Sequence, residues 1–198
     1  MGPVGRWEPD AQRRLQQAAM ELFAERGYAE VTIAEIADRA GLTKRSFFNH
    51  FADKREVLFA GAKDFEDSAI KHLAEAADDL APIDAAVLAL TRAGLELARY
   101  AEYARARYEL IASATELQER DLIKMASLAA AIAQALSRRG VLPRTATFTA
   151  QAAIAVFTTA YADWIKRGET ADLRALMQQS LDDLRQAVGP SGSHTIRD

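Results

Sequence analysis

Proline stands at only five places, Pro3, Pro9, Pro82, Pro143 and Pro190. A proline inside a helix removes an amide donor and clashes with the carbonyl one turn back, so the long proline-free intervals are where helices can run uninterrupted. Alanine, the strongest intrinsic helix former, fills roughly a fifth of the chain. β-Branched residues are few outside a Thr-rich stretch at 145–162. The expected fold is all-α.

Composition narrows the function classes. With 49% hydrophobic and 27% charged residues among 198, the chain reads as a soluble globular protein of one domain or two small ones, which excludes disorder for most of its length. The absence of cysteine rules out a disulfide framework, a zinc finger, a thiol nucleophile and an iron–sulfur cluster. His50, His72 and His194 are too scattered for a His-based site, so no metal and no cofactor are expected. No apolar run precedes Arg13, and Arg6 stands where a myristoylation motif needs Ser or Thr, so a cytoplasmic address is expected. The uncharged stretch from Thr145 to Ala162 is long enough to span a bilayer, but Thr145, Thr147, Thr149, Gln151, Thr158 and Thr159 make it too polar for lipid. It is expected to be a helix buried in protein, at an interface.

Capping signals divide the chain. Asp10 opens a helix whose Leu15, Ala18, Leu22 and Phe23 share one face, and Gly27 closes it. After a connector at 28–31, Thr32 and Glu35 form a capping box, with Val31 and Ile36 as its hydrophobic staple. Gly41 ends this short helix, and Thr43 caps another that stops near Asn49. A second box, Asp53 with Glu56, predicts one long helix from Asp53 to about Asp78, followed by a break around Pro82. Later helices are expected over 84–99, 102–113, 116–139, 144–166 and 172–188.

Two short helices joined by Gly41-Leu42 meet the steric needs of a helix-turn-helix. Small Ala37 permits a close crossing, Gly41 supplies the left-handed turn, and Phe47 anchors the second helix in the core. Thr43, Lys44, Arg45 and Ser46 then lie at the start of that helix, where side chains enter a major groove and Arg or Lys pairs with guanine O6 and N7. Phosphate contacts are expected from Thr32, from His50 beside Asn49, and from Lys54.

The run from Ala18 to Leu58, with Leu22-Phe23-Ala-Glu-Arg-Gly27-Tyr28, Thr32-Ile-Ala-Glu-Ile-Ala37, Ala40-Gly41 and His50-Phe51-Ala-Asp-Lys54, resembles the DNA-binding domain of the tetracycline-repressor (TetR) family. The resemblance covers only the first quarter to third of the chain. It implies a homodimer that binds a palindromic double-stranded operator and a C-terminal domain that binds a small-molecule inducer. It also implies a dimer interface from the last two helices, which Phe157, Tyr161 and Trp164, then Leu173, Leu176, Met177, Leu181 and Leu184, would supply. The recognition helix departs from the family pattern: Arg45-Ser46-Phe47-Phe48 replaces Gly or Pro, Thr, an aliphatic residue and Tyr. Phe48 lacks the hydroxyl with which that tyrosine reaches a phosphate, and either a sugar or a thymine methyl is its alternative partner. This form resembles a subgroup linked to mycofactocin redox metabolism, for which long-chain acyl-CoA ligands are proposed.

Residues for an inducer cavity are less distinct. Phe65, His72, Tyr100, Tyr103, Tyr108 and Met125 are candidates, although aromatic and Met residues at helical spacing equally describe a plain core. Arg107 suits an anionic ligand, or a pair with a neighbouring glutamate. The resulting expectation is a sequence-specific transcriptional repressor, not an enzyme, released by an inducer. The expected domains are an N-terminal arm at 1–9, a helix-turn-helix domain at 10–55, a ligand-binding and dimerisation domain at 56–188, and a flexible tail at 189–198. The rivals are a helical small-molecule carrier or enzyme, against which stands the lack of a nucleophile, metal cluster or phosphate loop, and a nonspecific architectural DNA binder. The net charge of −3 does not exclude DNA. Between Thr43 and Arg55, Lys44, Arg45, Lys54 and Arg55 face only Asp53, which leaves a small basic face.

Overall fold

The structure, a computed structural model, describes residues 11–168 and 171–189. Among them the chain forms nine α-helices and no strand: α1 (Ala11–Arg26), α2 (Ile33–Arg39), α3 (Lys44–His50), α4 (Ala62–Ala74), α5 (Pro82–Ala98), α6 (Ala101–Ser113), α7 (Thr115–Arg138), α8 (Pro143–Arg167) and α9 (Leu173–Val188). One 3-10 turn, Arg55–Phe59, lies between α3 and α4. The expected all-α class is the one observed. The Asp10 cap, the arm at 1–9 and residues 190–198 of the expected tail lie outside the described residues.

Two boundaries differ from expectation, each for a local reason. The single helix expected from Asp53 to Asp78 is instead the 3-10 turn followed by α4. Asp53 does cap, its Oδ1 accepting from the amides of Arg55 at 2.8 Å and Glu56 at 3.2 Å. However, Val57, Leu58 and Phe59 are all buried, and three consecutive buried side chains do not fit an α-helix with one apolar stripe. Pro82, expected within a break, occupies the first turn of α5, where its missing amide has no intrahelical partner to lose.

The chain divides into two compact units, the first made of residues up to Asp64 with Glu102–Lys124, the second of Phe65–Ala101 with the chain from Met125 on. In the first unit, Leu15, Ala18, Ala19, Leu22 and Phe23 of α1 pack with Ile36, Phe47, Phe51 and the buried run Val57–Phe59. Ile111 of α6 and Leu117 of α7 complete this core, which is why the unit reaches beyond the 10–55 segment expected from motif spacing. Polar fasteners follow the same route. Glu56 accepts from Arg120 and, at 3.1 Å, from Lys124. Burial raises its carboxyl pKa, yet these two cations prevail and hold it below the usual carboxylate range. Arg107 donates to the Leu58 carbonyl at 2.7 Å and stacks 4.9 Å from the Phe59 ring centroid.

In the second unit α5, α8 and α9 pack against one another. Gly94 permits the close approach, since a Cβ there would lie 3.2 Å from Leu173 and 3.3 Å from Phe157. Phe65, Phe157, Tyr161 and Trp164 form a ladder of rings with successive centroids 5.2, 5.6 and 5.6 Å apart. Arg139 closes the end of α4 by donating to the carbonyls of Leu73, Ala76 and Ala77 at 2.9–3.0 Å. The same packing involves the interface residues expected on α8 and α9. Phe157, Trp164, Leu173, Leu176, Met177 and Leu181 are buried within their own subunit, with Tyr161 and Leu184 half-buried. The apolar stripe serves the subunit core. No helix of the described residues is long and apolar enough to cross a membrane.

Candidate nucleic-acid interface

The site is assembled by caps and one turn. The Thr32 amide donates to Glu35 Oε2 at 2.8 Å and the Glu35 amide to Thr32 Oγ1 at 3.3 Å, completing the expected box, with Val31 and Ile36 buried as its staple. Arg26 of α1 donates to Glu35 at 2.9 Å. This bond first, then those from Thr32, hold the Glu35 carboxyl down to about 2. Between α2 and α3, Gly41 adopts φ 64°, and the Leu42 amide donates to the Ala37 carbonyl at 2.8 Å. Arg14 of α1 grips the same turn by donating to the carbonyls of Ala40 and Gly41. Thr43 caps α3, its Oγ1 accepting from the Ser46 amide at 3.1 Å.

Phe47 is fully buried and packs on Phe51 with centroids 5.4 Å apart, fixing the inner face of α3. Lys44, Arg45, Phe48 and Asn49 are exposed on its outer face. Thr43 is exposed too, while Ser46 is half-buried with its hydroxyl 2.9 Å from that of Thr43. His50 is half-buried beside Phe51. Thr32 is exposed, its hydroxyl donating to Glu35 at 2.7 Å.

Lys54, expected to contact phosphate, is tied to the connector after α1. Its Nζ donates to the carbonyls of Tyr28 at 2.8 Å and Val31 at 2.9 Å, and lies 4.1 Å from the Tyr28 ring centroid. Burial lowers its pKa, as it should for an ammonium withdrawn from water, and pushes the Tyr28 phenol up to about 12. Arg55 is likewise spent on Asp53, at 2.6 and 3.2 Å. The basic face read between Thr43 and Arg55 therefore contracts to Lys44 and Arg45, which have no ion-pair partner among the described residues.

Sequence reasoning missed Arg14, which sets the turn, and Arg120 and Lys124, which hold Glu56. Their partners lie 26, 64 and 68 residues away, and no local pattern announces such pairs. Of the inducer candidates, Tyr103, Arg107 and Tyr108 belong to the first unit, and Phe65, His72, Tyr100 and Met125 to the second. Arg107 is committed to Leu58, Phe59 and Asp121, and Phe65 is buried against Phe157. Tyr100 is largely exposed, and His72 Nε2 lies 3.0 Å from Glu96 of α5.

A short helix anchored from below by a buried aromatic and presenting two unpaired cations at a glycine turn is the working part of a helix-turn-helix DNA-binding transcriptional regulator. Known proteins agree. Residues 15–60 match the family described as bacterial regulatory proteins, tetR family, and residues 80–189 match the MftR C-terminal domain. The chain belongs to the TetR family. Its similarity to MftR of Mycobacterium tuberculosis, whose name assigns it to transcriptional regulation of mycofactocin biosynthesis, is 28% identity over 90% of this chain and 91% of the relative. The fold is shared with SmeT of Stenotrophomonas maltophilia in its triclosan complex, at TM-score 0.61, 22% identity and 95% and 97% of the two chains. It is shared also with FadR of Thermus thermophilus in complex with lauroyl-CoA, at TM-score 0.56, 22% identity and 94% and 100% coverage.

Proposed function

We propose that the chain is a cytoplasmic repressor, without enzymatic activity, that holds a palindromic operator through two copies of α3 and releases it when a small molecule occupies the second unit. The observation that carries this reading is the outer face of α3, exposed and cationic above the buried Phe47. Arg45 and Lys44 supply the guanine contacts, and Thr43, Ser46 and Asn49 the polar contacts around them. Thr32 and His50 flank the helix as phosphate contacts. Lys54 acts by holding the connector in place.

The homodimer forms through what α8 leaves exposed, namely Phe148, Gln151, Ala155, Thr158 and Thr159, against the same face of a second copy. Small and hydroxyl side chains let two helices approach closely, which accounts for a Thr-rich helix without charge in its middle. In the inducer-bound state the two copies of α3 no longer match successive major grooves about 34 Å apart. The similarity to MftR supports the genes of mycofactocin biosynthesis as the regulated set.

The test is binding of the full-length protein to labelled DNA flanking its own gene, at moderate salt, with lauroyl-CoA and triclosan added in turn as first ligands. A sequence-preferring complex released by ligand supports the proposal. A complex indifferent to sequence supports an architectural binder, and no complex a carrier or enzyme.

A further inference from the structure

The outer face of α3 is not uniformly polar. At about 100° per residue, Lys44, Phe48, Arg45 and Asn49 sweep an arc of about 140°, with Phe48 and Arg45 at its centre and Phe47 on the far side. Phe48 is 50% exposed, an unusual position for a large apolar ring. It is not loose, because its ring meets Phe47 edge-on, with centroids 5.7 Å apart and planes at 83°. α3 contains no carboxylate, so any partner surface it meets has to suit cations on either side of a fixed apolar ring.

From this arrangement we infer that Phe48 reads a thymine in each operator half-site through the 5-methyl group. The inference rests on the DNA-binding reading above and deepens it. The thymine methyl is the apolar feature that base pairs display on the major-groove floor, and Phe is among the side chains suited to it. A sugar contact would call for a position at the flank of the arc, next to phosphates, whereas Phe48 sits at its centre beside Arg45. The two residues are three apart, an axial offset of about 4.5 Å, against about 3.4 Å between successive bases on a strand. The thymine therefore lies within one or two base pairs of the guanine that Arg45 reads. The ring touches the methyl only by dispersion and exclusion of water, and no bond is made or broken.

The experiment selects an operator from random duplexes with full-length protein, then replaces each thymine with deoxyuridine, which keeps the base pair and removes the methyl. For the unaltered protein, one such replacement per half-site should weaken binding by about fourfold, as expected for one methyl-sized group returned to water. Phe48→Ala should bind the thymine and deoxyuridine operators equally while keeping the preference for the Arg45 guanine. Phe48→Leu should keep part of the methyl sensitivity. If Phe48→Ala binds nothing, the leucine variant carries the comparison, and undiminished sensitivity there overturns the inference. Indifference of the unaltered protein to every methyl in a strongly selected operator overturns it as well. Selection that yields no preferred sequence instead removes the DNA reading itself, and this inference with it.

Discussion

Lys54→Ala separates two roles that one sequence position could hold. If Lys54 bound a phosphate, its loss would leave the fold intact and weaken binding to all DNA. The salt slope would fall by about 0.9 for each ammonium removed, or nearly two for a dimer. The structure predicts the reverse. Nζ bonds the carbonyls of Tyr28 and Val31 and faces the Tyr28 ring, tying the α1–α2 connector to the chain after α3. A hydrogen bond with a charged donor contributes about 1.5–3 kcal/mol, part of which is offset by partial burial of the ammonium. A loss of about 2–4 kcal/mol follows, and since 1 kcal/mol moves the midpoint of a chain this size by about 2–4 °C, Tm should fall by roughly 5–15 °C. Thermal melts and anisotropy titrations across a salt series, the latter well below the lowered Tm, measure both quantities. Lys54→Met, which keeps the aliphatic stem against Tyr28, should lose less. An unchanged Tm together with a slope reduced by about two would refute the clamp.

Gly41→Ala should cost about 1–2 kcal/mol for the left-handed backbone at φ 64°. It should also disturb the turn directly, because the new Cβ would lie 2.9 Å from Arg14 Nη2; DNA affinity measured by anisotropy should drop further than stability alone explains. Glu35 titrates at about 2 in the folded state, below its ordinary 4.5. Its contribution to stability is thus present above about pH 4.5 and lost as pH falls through about 2. Carboxyl-resolved NMR titration should show this, and Thr32→Val should bring the value back up. Arg45→Ala should cost about 1–3 kcal/mol on the preferred operator and relax selectivity at one or two base pairs, whereas equal losses on preferred and random DNA would sink its base-reading role.

What could be read from the sequence was whatever is decided within a few residues. The Thr32–Glu35 box, the Thr43 cap, the Gly41 turn and the inward Phe47 depend on neighbours three to six positions away, and all are where spacing put them. The contacts that spacing did not announce share one cause. Lys54 looks like a free cation until Tyr28 and Val31 come round to it, and Val57–Phe59 look like helix until a core made partly by Ile111 and Leu117 buries all three. Likewise, Leu173, Leu176, Met177 and Leu181 form an apolar stripe that says a partner exists without saying whether it lies in the same subunit. Periodicity identifies a buried face, and only the tertiary fold says what covers it.

The DNA-reading unit is discontinuous in the chain, its core closed by Ile111 and Leu117 from residues 102–124. During synthesis the segment up to Asp64 therefore emerges with its apolar interior open and Glu56 still without Arg120 and Lys124. At about 5–20 residues per second, the 60 residues from Asp64 to Lys124 take roughly 3–12 s to follow. The core beneath the helix-turn-helix is therefore closed only after residues 102–124 have been made.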